Sequence, residues 1–227
     1  MNDEKKAEIL DIYNKNFTQF EYLTQQVEGL FKFNDVLNKG KSPIIHSIKS
    51  RIKDYNHLID KVERKINDGR VIDKENFFSE ITDLIGVRVL YLYQDQFSLI
   101  HSEIIKQLND FKEWCLCEPP KAYTWDPESK QYYESIGIST ELKDSYYTSV
   151  HYTIKKNNEV SKICCEIQVR TLFEEIWGEI DHTINYPYKT ESVACKEQLR
   201  VLSKLVSTGT RLSDSIFRSF KEFNNMP

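Results

Sequence analysis

The sequence predicts an α/β fold of the α+β kind: a mixed β-sheet of about five strands flanked by helices, with further helical segments at both ends. Three observations carry this. Apolar residues recur at helical spacing near both ends of the chain, apolar β-branched runs lie between them, and those runs are separated by helical patterns. The 227 residues, 40% of them hydrophobic, suffice for a sizeable core. The chain divides on this pattern into a helical segment over residues 1–40, a central domain over 41–190 and a terminal helix over 191–227.

Residues 4–34 place Ile9, Leu10, Ile12, Tyr13, Phe17, Phe20, Leu23 and Val27 at helical intervals, as one long helix or two in succession. The run Asn38-Lys39-Gly40-Lys41-Ser42-Pro43 is turn chemistry and ends this layer. Residues 44–52 alternate as a strand, and Asp54 can cap a helix through Leu58, Val62 and Ile66 that stops at Gly69. Residues 85–92 are apolar on both faces, as in a central, covered strand. A helix is predicted over about 94–108, then a short strand and a long loop over 113–133, which holds Pro119, Pro120 and Pro127. Residues 149–155 and 162–169 read as a hairpin-like strand pair. Thr171 starts a helix to Asn185 that Pro187 stops, and a last helix spans about 193–223.

Composition excludes several classes. Lys and Arg number 31 against 35 Asp and Glu, a formal net charge of −4, so broad polyanion binding has no support from charge. No apolar run is long enough for a membrane helix, and the charged start MNDEKKAEIL lacks the apolar core of a secretory signal, so a cytoplasmic protein with no membrane partner is expected. The five cysteines, in C-x-C and C-C spacings plus Cys195, fit neither a zinc ribbon nor a disulfide framework, and reduced structural thiols are expected. With 7 glycines and 13 tyrosines, a nucleotide site would rest on side chains and not on a glycine-rich phosphate loop.

Four clusters carry candidate chemistry, and each has a plainer reading. Arg51, Lys53 and Lys61 bring cations to a strand end and the helix after it, or form a solvated surface. Asp83 precedes a buried strand that contains Arg88, a costly residue to bury unless it has a partner; a structural salt bridge is the alternative. Lys143 and Tyr147 lie before a strand holding His151, and the tyrosine offers a face for a base or a core contact. Glu166, Gln168 and Arg170 share one strand face, opposite Ile167 and Val169, which suits a cleft or an exposed edge. Taken together, Asp83 and Glu166 can hold magnesium, which prefers oxygen ligands and bridges phosphates. The cations neutralise a polyphosphate, and the tyrosine loop seats a second substrate that carries a base. This combination suggests phosphoryl or nucleotidyl chemistry between two nucleotides.

The strings Arg51-Ile52-Lys53 with Lys61, Asp83-Leu84-Ile85-Gly86-Val87-Arg88, Tyr147-Thr148-Ser149-Val150-His151 and Glu166-Ile167-Gln168-Val169-Arg170-Thr171, with Trp177 and His182, resemble the synthetase domain of the RelA/SpoT family in its single-domain branch, the small alarmone synthetases. The likeness covers about residues 43–190 and implies a nucleotidyltransferase-like sheet. It also implies transfer of the β,γ-pyrophosphate of ATP to the 3′-hydroxyl of GTP or GDP. Matched position by position, it implies Arg51 and Arg88 beside adenine, Lys53 and Lys61 on the ATP phosphates, and Asp83 and Glu166 as Mg2+ ligands, with Glu166 also the activator of the hydroxyl. Tyr147 would stack on guanine, Lys143 would meet the acceptor phosphates, and His151 and Gln168 would line that pocket. Arg170 and His182 would order the acceptor pocket or touch phosphate, and the loop over 119–135 would lie beside it.

The resemblance further implies a homo-oligomer, tetramer or dimer, built through terminal helices. No His-Asp pair suited to a hydrolase precedes the motifs, so the product is expected to be made and not degraded. Two positions depart from the family pattern: Tyr146 stands where the family has glycine before the stacking tyrosine, and Thr148 where a basic residue often follows it. Both bear on the acceptor. One alternative is therefore a toxin-type transferase acting on the tRNA 3′ end, with a basic patch at Lys39, Lys41 and Lys49, or on adenine nucleotides. The other is an inactive nucleotide-binding module.

Overall fold

The computed structural model describes residues 1–40, 42–158, 161–186 and 188–225. Helix α1 (Asp3–Lys32) opens the chain, capped by the Asn2 side chain on the Lys5 amide, with Asp3 and Glu4 at its positive end. A single turn, α2 (Asp35–Asn38), leads to β1 (Ile45–Ile52). Asp54 caps α3 (Tyr55–Asn67) through the Asn56 amide, and Gly69, at φ 86°, turns the chain beyond its end. After the short α4 (Phe77–Glu80) come β2 (Ile85–Tyr91), α5 (Phe97–Phe111), β3 (Trp114–Leu116), β4 (Lys121–Thr124), α6 (Pro127–Ser135) and β5 (Ser139–Leu142). The chain closes with β6 (Ser149–Lys156), β7 (Cys164–Thr171), α7 (Leu172–Asn185) and α8 (Val193–Asn225).

The sheet has the order β1-β2-β7-β6-β4-β5, with β3 added on the β4 side of β6. β2 and β7 are parallel, as are β4 and β5, and the other pairs are antiparallel. Every second residue of the central strands faces the core: Val87 and Val89 from β2, Ile167 and Val169 from β7, Tyr152 and Ile154 from β6 are all essentially inaccessible. Phe20, Leu23, Val27 and Phe31 of α1 belong to the same apolar cluster, as do Leu58 and Val62 of α3 and Phe97 and Ile100 of α5. Burying a side chain of this size contributes about 1.5–3 kcal/mol. The other face of the sheet is polar and carries the candidate site. α8 packs on α7, with the Trp177 indole donating to the Leu199 carbonyl at 3.0 Å.

Seven strands stand where about five were expected, and residues 113–133 are not a strand with a long loop. Lys121–Thr124 pairs with β5 and β6 as an inner strand. Pro127 opens α6 behind Asp126, whose carboxylate caps the Glu128 amide, and Tyr133 lies in the core. Four-residue strands are too short for alternation to show, and the Pro that suggested a loop is a helix start. Pro187 lies outside the described residues; α7 ends at Asn185, and Tyr186 is already extended. Lys41 lies outside them too, while Lys39 is paired with Asp35 and Lys49 with Glu175. Among the described residues no helix is long and apolar enough to cross a membrane.

Candidate active site

The pairing register places the candidate residues on one face. Arg51 of β1 sits opposite Gly86 of β2, which sits opposite Glu166 of β7, which sits opposite Thr153 of β6. In the neighbouring row Lys49, Arg88, Gln168, His151 and Lys121 follow one another across five strands. Residues paired across a sheet share a face, so two polar rows run side by side. The Arg51 side chain lies across Gly86, 3.5 Å from where a Cβ would stand.

A hydrogen-bonded line crosses this face. The Tyr147 hydroxyl is 3.0 Å from His151 Nε2, and His151 Nδ1 is 3.1 Å from Glu166 Oε1. Gln168 Nε2 donates to Glu166 Oε2 at 2.6 Å, and Arg88 Nε donates to Gln168 Oε1 at 3.3 Å. Burial alone would raise the Glu166 carboxyl, but the His151 and Gln168 bonds and the Lys61 charge outweigh it and hold it at about 2. An ionised Glu166 only accepts, so Nδ1 of His151 carries the hydrogen that faces it. Arg170 is buried beneath the tyrosine, its guanidinium carbon 5.7 Å from the ring centroid, and is paired with Glu175. Arg170 thus supports Tyr147 from below. A Cβ on Gly178 of α7 would come within 2.8 Å of its guanidinium, so glycine is what lets α7 lie this close.

At the mouth of β2, Asp83 Oδ2 holds Lys61 at 2.7 Å and Lys53 at 3.2 Å. Its other oxygen, Oδ1, is buried with no partner, an acceptor left over beside two lysines. Lys61 acts on both carboxylates, bonding Asp83 and lowering Glu166. Among the described residues no three His, Cys, Asp or Glu side chains converge as a metal cage. Two carboxylates with a spare oxygen fit a magnesium ion that takes its remaining ligands from water and substrate phosphates.

Beyond Arg88 the face opens into a cleft of about 240 Å³ between Arg51, Gly86 and Arg88 on the sheet and Glu179 and His182 on α7. His182 therefore lies with Arg51 and Arg88, on the far side of Gln168 from Tyr147. It sits three turns down α7, which carries it toward β1, and there its ring stacks on Tyr186 at 4.6 Å. Lys143 lies toward Tyr147's end of the face: its ammonium pairs with Glu141 and lies 4.5 Å from the Tyr123 ring, which meets His151 edge-on at 4.8 Å.

Several residues of the site escaped the sequence reading. Glu175 is buried and binds Lys49, Arg88 and Arg170 together; burial favours its neutral form, and the three cations override it and lower the carboxyl. Glu179 also pairs with Arg88. Tyr123, Lys121 and Glu141 belong to the two short strands that were missed, and Glu141, clamped by both lysines, is held at about 2. The available signal was the i, i+4 spacing of Glu175 and Glu179 on one face of a capped helix. A hollow of about 890 Å³ beside Phe33, Val36 and Phe111 contains none of these residues.

A family described as the region found in RelA/SpoT proteins matches residues 50–191. The GTP pyrophosphokinase YwaC of Bacillus subtilis (strain 168) is 25% identical over 170 residues, covering 74% of this chain and 67% of that protein. The GTP pyrophosphokinase YjbM of the same organism is 22% identical over 220 residues, covering 95% and 89%. The crystal structure of small alarmone synthetase 1 from Bacillus subtilis superposes with a TM-score of 0.70 at 16% identity, over 93% of this chain and 99% of that one, which establishes a shared fold.

Proposed function

The chain belongs to the RelA/SpoT family, and on that premise we propose that it is a GTP or GDP pyrophosphokinase, moving the β,γ-pyrophosphate of ATP to the 3′-hydroxyl of the guanine nucleotide and releasing AMP. The observation that carries this reading is the hydrogen-bonded line from Tyr147 to Arg88, which joins two places suited to bases and has an ionised carboxylate, Glu166, between them.

Arg51 and Arg88 present guanidinium planes to adenine across the cleft beside His182. At about 240 Å³ the cleft is smaller than the ~300–1,000 Å³ typical of a whole ligand site, so it suits the base while the phosphates run out along the face. Lys53 and Lys61 lie where those phosphates would lead. Tyr147, supported by Arg170, takes the acceptor base, with His151 and Gln168 lining the pocket and Lys143 toward the acceptor phosphates. Glu166, ionised far below neutral pH, accepts the hydroxyl proton as the oxygen attacks the β-phosphorus. A magnesium ion held by Asp83 and Glu166 would neutralise charge on the phosphates. Positioning and charge stabilisation account for most of the catalysis in such transfers, and no enzyme-bound intermediate is required.

The test is ATP labelled at the γ-phosphate, supplied with GTP, GDP, an adenine nucleotide or tRNA in turn. Label is expected in a guanosine product, with AMP formed. Label in tRNA or an adenine nucleotide instead would assign the acceptor to the toxin-type reading, and no transfer from folded protein would leave a binding module. The tRNA and adenine arms have a structural motive: Thr148 is buried and bonded to Thr124 at 3.0 Å, so the position after Tyr147 offers the acceptor no cation.

A further inference from the structure

Four of the five cysteines gather around β6. Cys115 of β3 and Cys164 of β7 are both paired in register with Lys155, from opposite edges of that strand, and Cys165 and Cys117 follow them. Cys117 and Cys164 reach across β6, and their sulfurs are 3.2 Å apart. Cys117 is exposed and Cys164 buried, whereas Cys165 is buried on the opposite, core face. From these positions we propose that Cys117 and Cys164 form a reversible, redox-sensitive disulfide at the edge of the active face. Cys117 is open to solvent and Cys164 lies within reach behind it, so an oxidised Cys117 has a resolving thiol at contact distance.

The chemistry closes with a peroxide as the oxidant. Both S–H bonds and the O–O bond break, one S–S bond forms, each sulfur loses one electron, and the two protons leave with the peroxide oxygens as two water molecules.

The bond would move the acceptor side of the site. A disulfide spans ~2.05 Å, so closure draws the sulfurs together by roughly 1 Å, and because β6 lies between the two cysteines, at ~4.8 Å per strand spacing, it also requires the end of β3 to shift toward β7. Cys117 lies at the start of the link from β3 to β4: its amide donates to the Thr153 carbonyl at 2.7 Å, and the Thr153 hydroxyl donates to Glu118 at 3.1 Å. That link ends at Lys121, which pairs with Glu141 at 2.7 Å, and Tyr123 follows on the same face. At the other end, Cys164 is two residues from Glu166 on the same strand face. Oxidation therefore bears on the acceptor pocket more than on the adenine cleft; this consequence rests on the proposed activity, whereas the bond itself does not.

The experiment treats the full chain with hydrogen peroxide, blocks remaining thiols, digests with trypsin and identifies cross-linked peptides by mass, before and after dithiothreitol. A dithiothreitol-reversible link is expected between the peptides carrying Cys115/Cys117 and Cys164/Cys165. It should vanish in Cys117→Ser and persist in Cys115→Ser and Cys165→Ser. Persistence in Cys117→Ser, or wild-type Cys117 oxidised to sulfinic acid with no link, would overturn the pair. Cys117 is exposed, so its serine variant should fold even if Cys164→Ser does not. Where guanosine product is formed, oxidation should change the acceptor KM at least threefold and reversibly, with the ATP KM within twofold; an equal effect on both would overturn the coupling to the acceptor side. Because the link is read by mass, its failure is distinct from absence of turnover.

Discussion

Tyr146 holds a backbone shape that glycine adopts most readily. Its φ is 60°, a left-handed conformation that costs an L-residue about 1–2 kcal/mol. Its ring packs edge-on against Trp125 at 5.4 Å, a contact of the kind that contributes about 0.5–1.5 kcal/mol and so offsets part of that cost. Tyr146→Ala loses the contact and keeps the strain, whereas Tyr146→Gly loses both. Urea unfolding should therefore find the glycine variant more stable than the alanine variant by about 1 kcal/mol; the reverse order would refute the strain. A second residue-scale prediction concerns His151, whose bond helps hold Glu166 at about 2 against a burial that raises it. In His151→Ala the carboxyl should titrate higher, so the acid limb of kcat/KM should move to higher pH; an unmoved limb would exclude His151 from poising Glu166. The same depressed value gives stability that is present above the ordinary carboxylate value of ~4.3 and lost as pH falls toward 2.

The link between β7 and α7 shows how an element's boundary places chemistry. Thr171 and Glu174 form a reciprocal cap: the Glu174 amide donates to the threonine hydroxyl at 3.2 Å, and the Thr171 amide donates to the Glu174 carboxylate at 2.7 Å. This starts α7 directly at the strand end, and one residue on, Glu175 reaches back to Arg88, Arg170 and Lys49. Burial pushes the Glu174 carboxyl up to about 7. Between ~4.3 and about 7 the folded state then holds a proton that the unfolded chain has lost, so this group lowers stability as pH rises through that window. Glutamine preserves the acceptor for the Thr171 amide and does not titrate. Relative to wild type, Glu174→Gln should therefore gain stability on going from pH 4 to pH 8 in urea unfolding, and a constant difference would refute the raised carboxyl. The cap also explains why a sequence pattern served here: Thr-x-x-Glu before an apolar-periodic run is local, whereas the short strands β3, β4 and β5 have no local signature long enough to read.

At the scale of the molecule, α1 is part of the same core as the sheet. Phe20, Val27 and Phe31 are each at most 2% exposed and lie in one cluster with Val87 and Ile167. Removing residues 1–33 strips that apolar face of its cover, so the shortened chain should show no cooperative thermal unfolding by circular dichroism; a wild-type-like transition would show that the remainder folds alone. The net charge of −4 now has a distribution: seven cations, Lys49, Arg51, Lys53, Lys61, Arg88, Lys121 and Lys143, lie on or beside the polar face, most of them against local carboxylates. The sequence by itself determined the helical ends, the central strands and the candidates Asp83, Arg88, Tyr147, Glu166 and Gln168, because caps, alternation and short motifs are local properties. Only the tertiary structure decided that Arg51, Gly86 and Glu166 are neighbours in one row, that Tyr147 meets Glu166 through His151, and that His182 belongs to the arginine cleft. The physical reason is register. Alternation fixes which residues of one strand share a face, but which strand lies alongside, and in what alignment, is set by contacts between residues as far apart as Gly86 and Glu166.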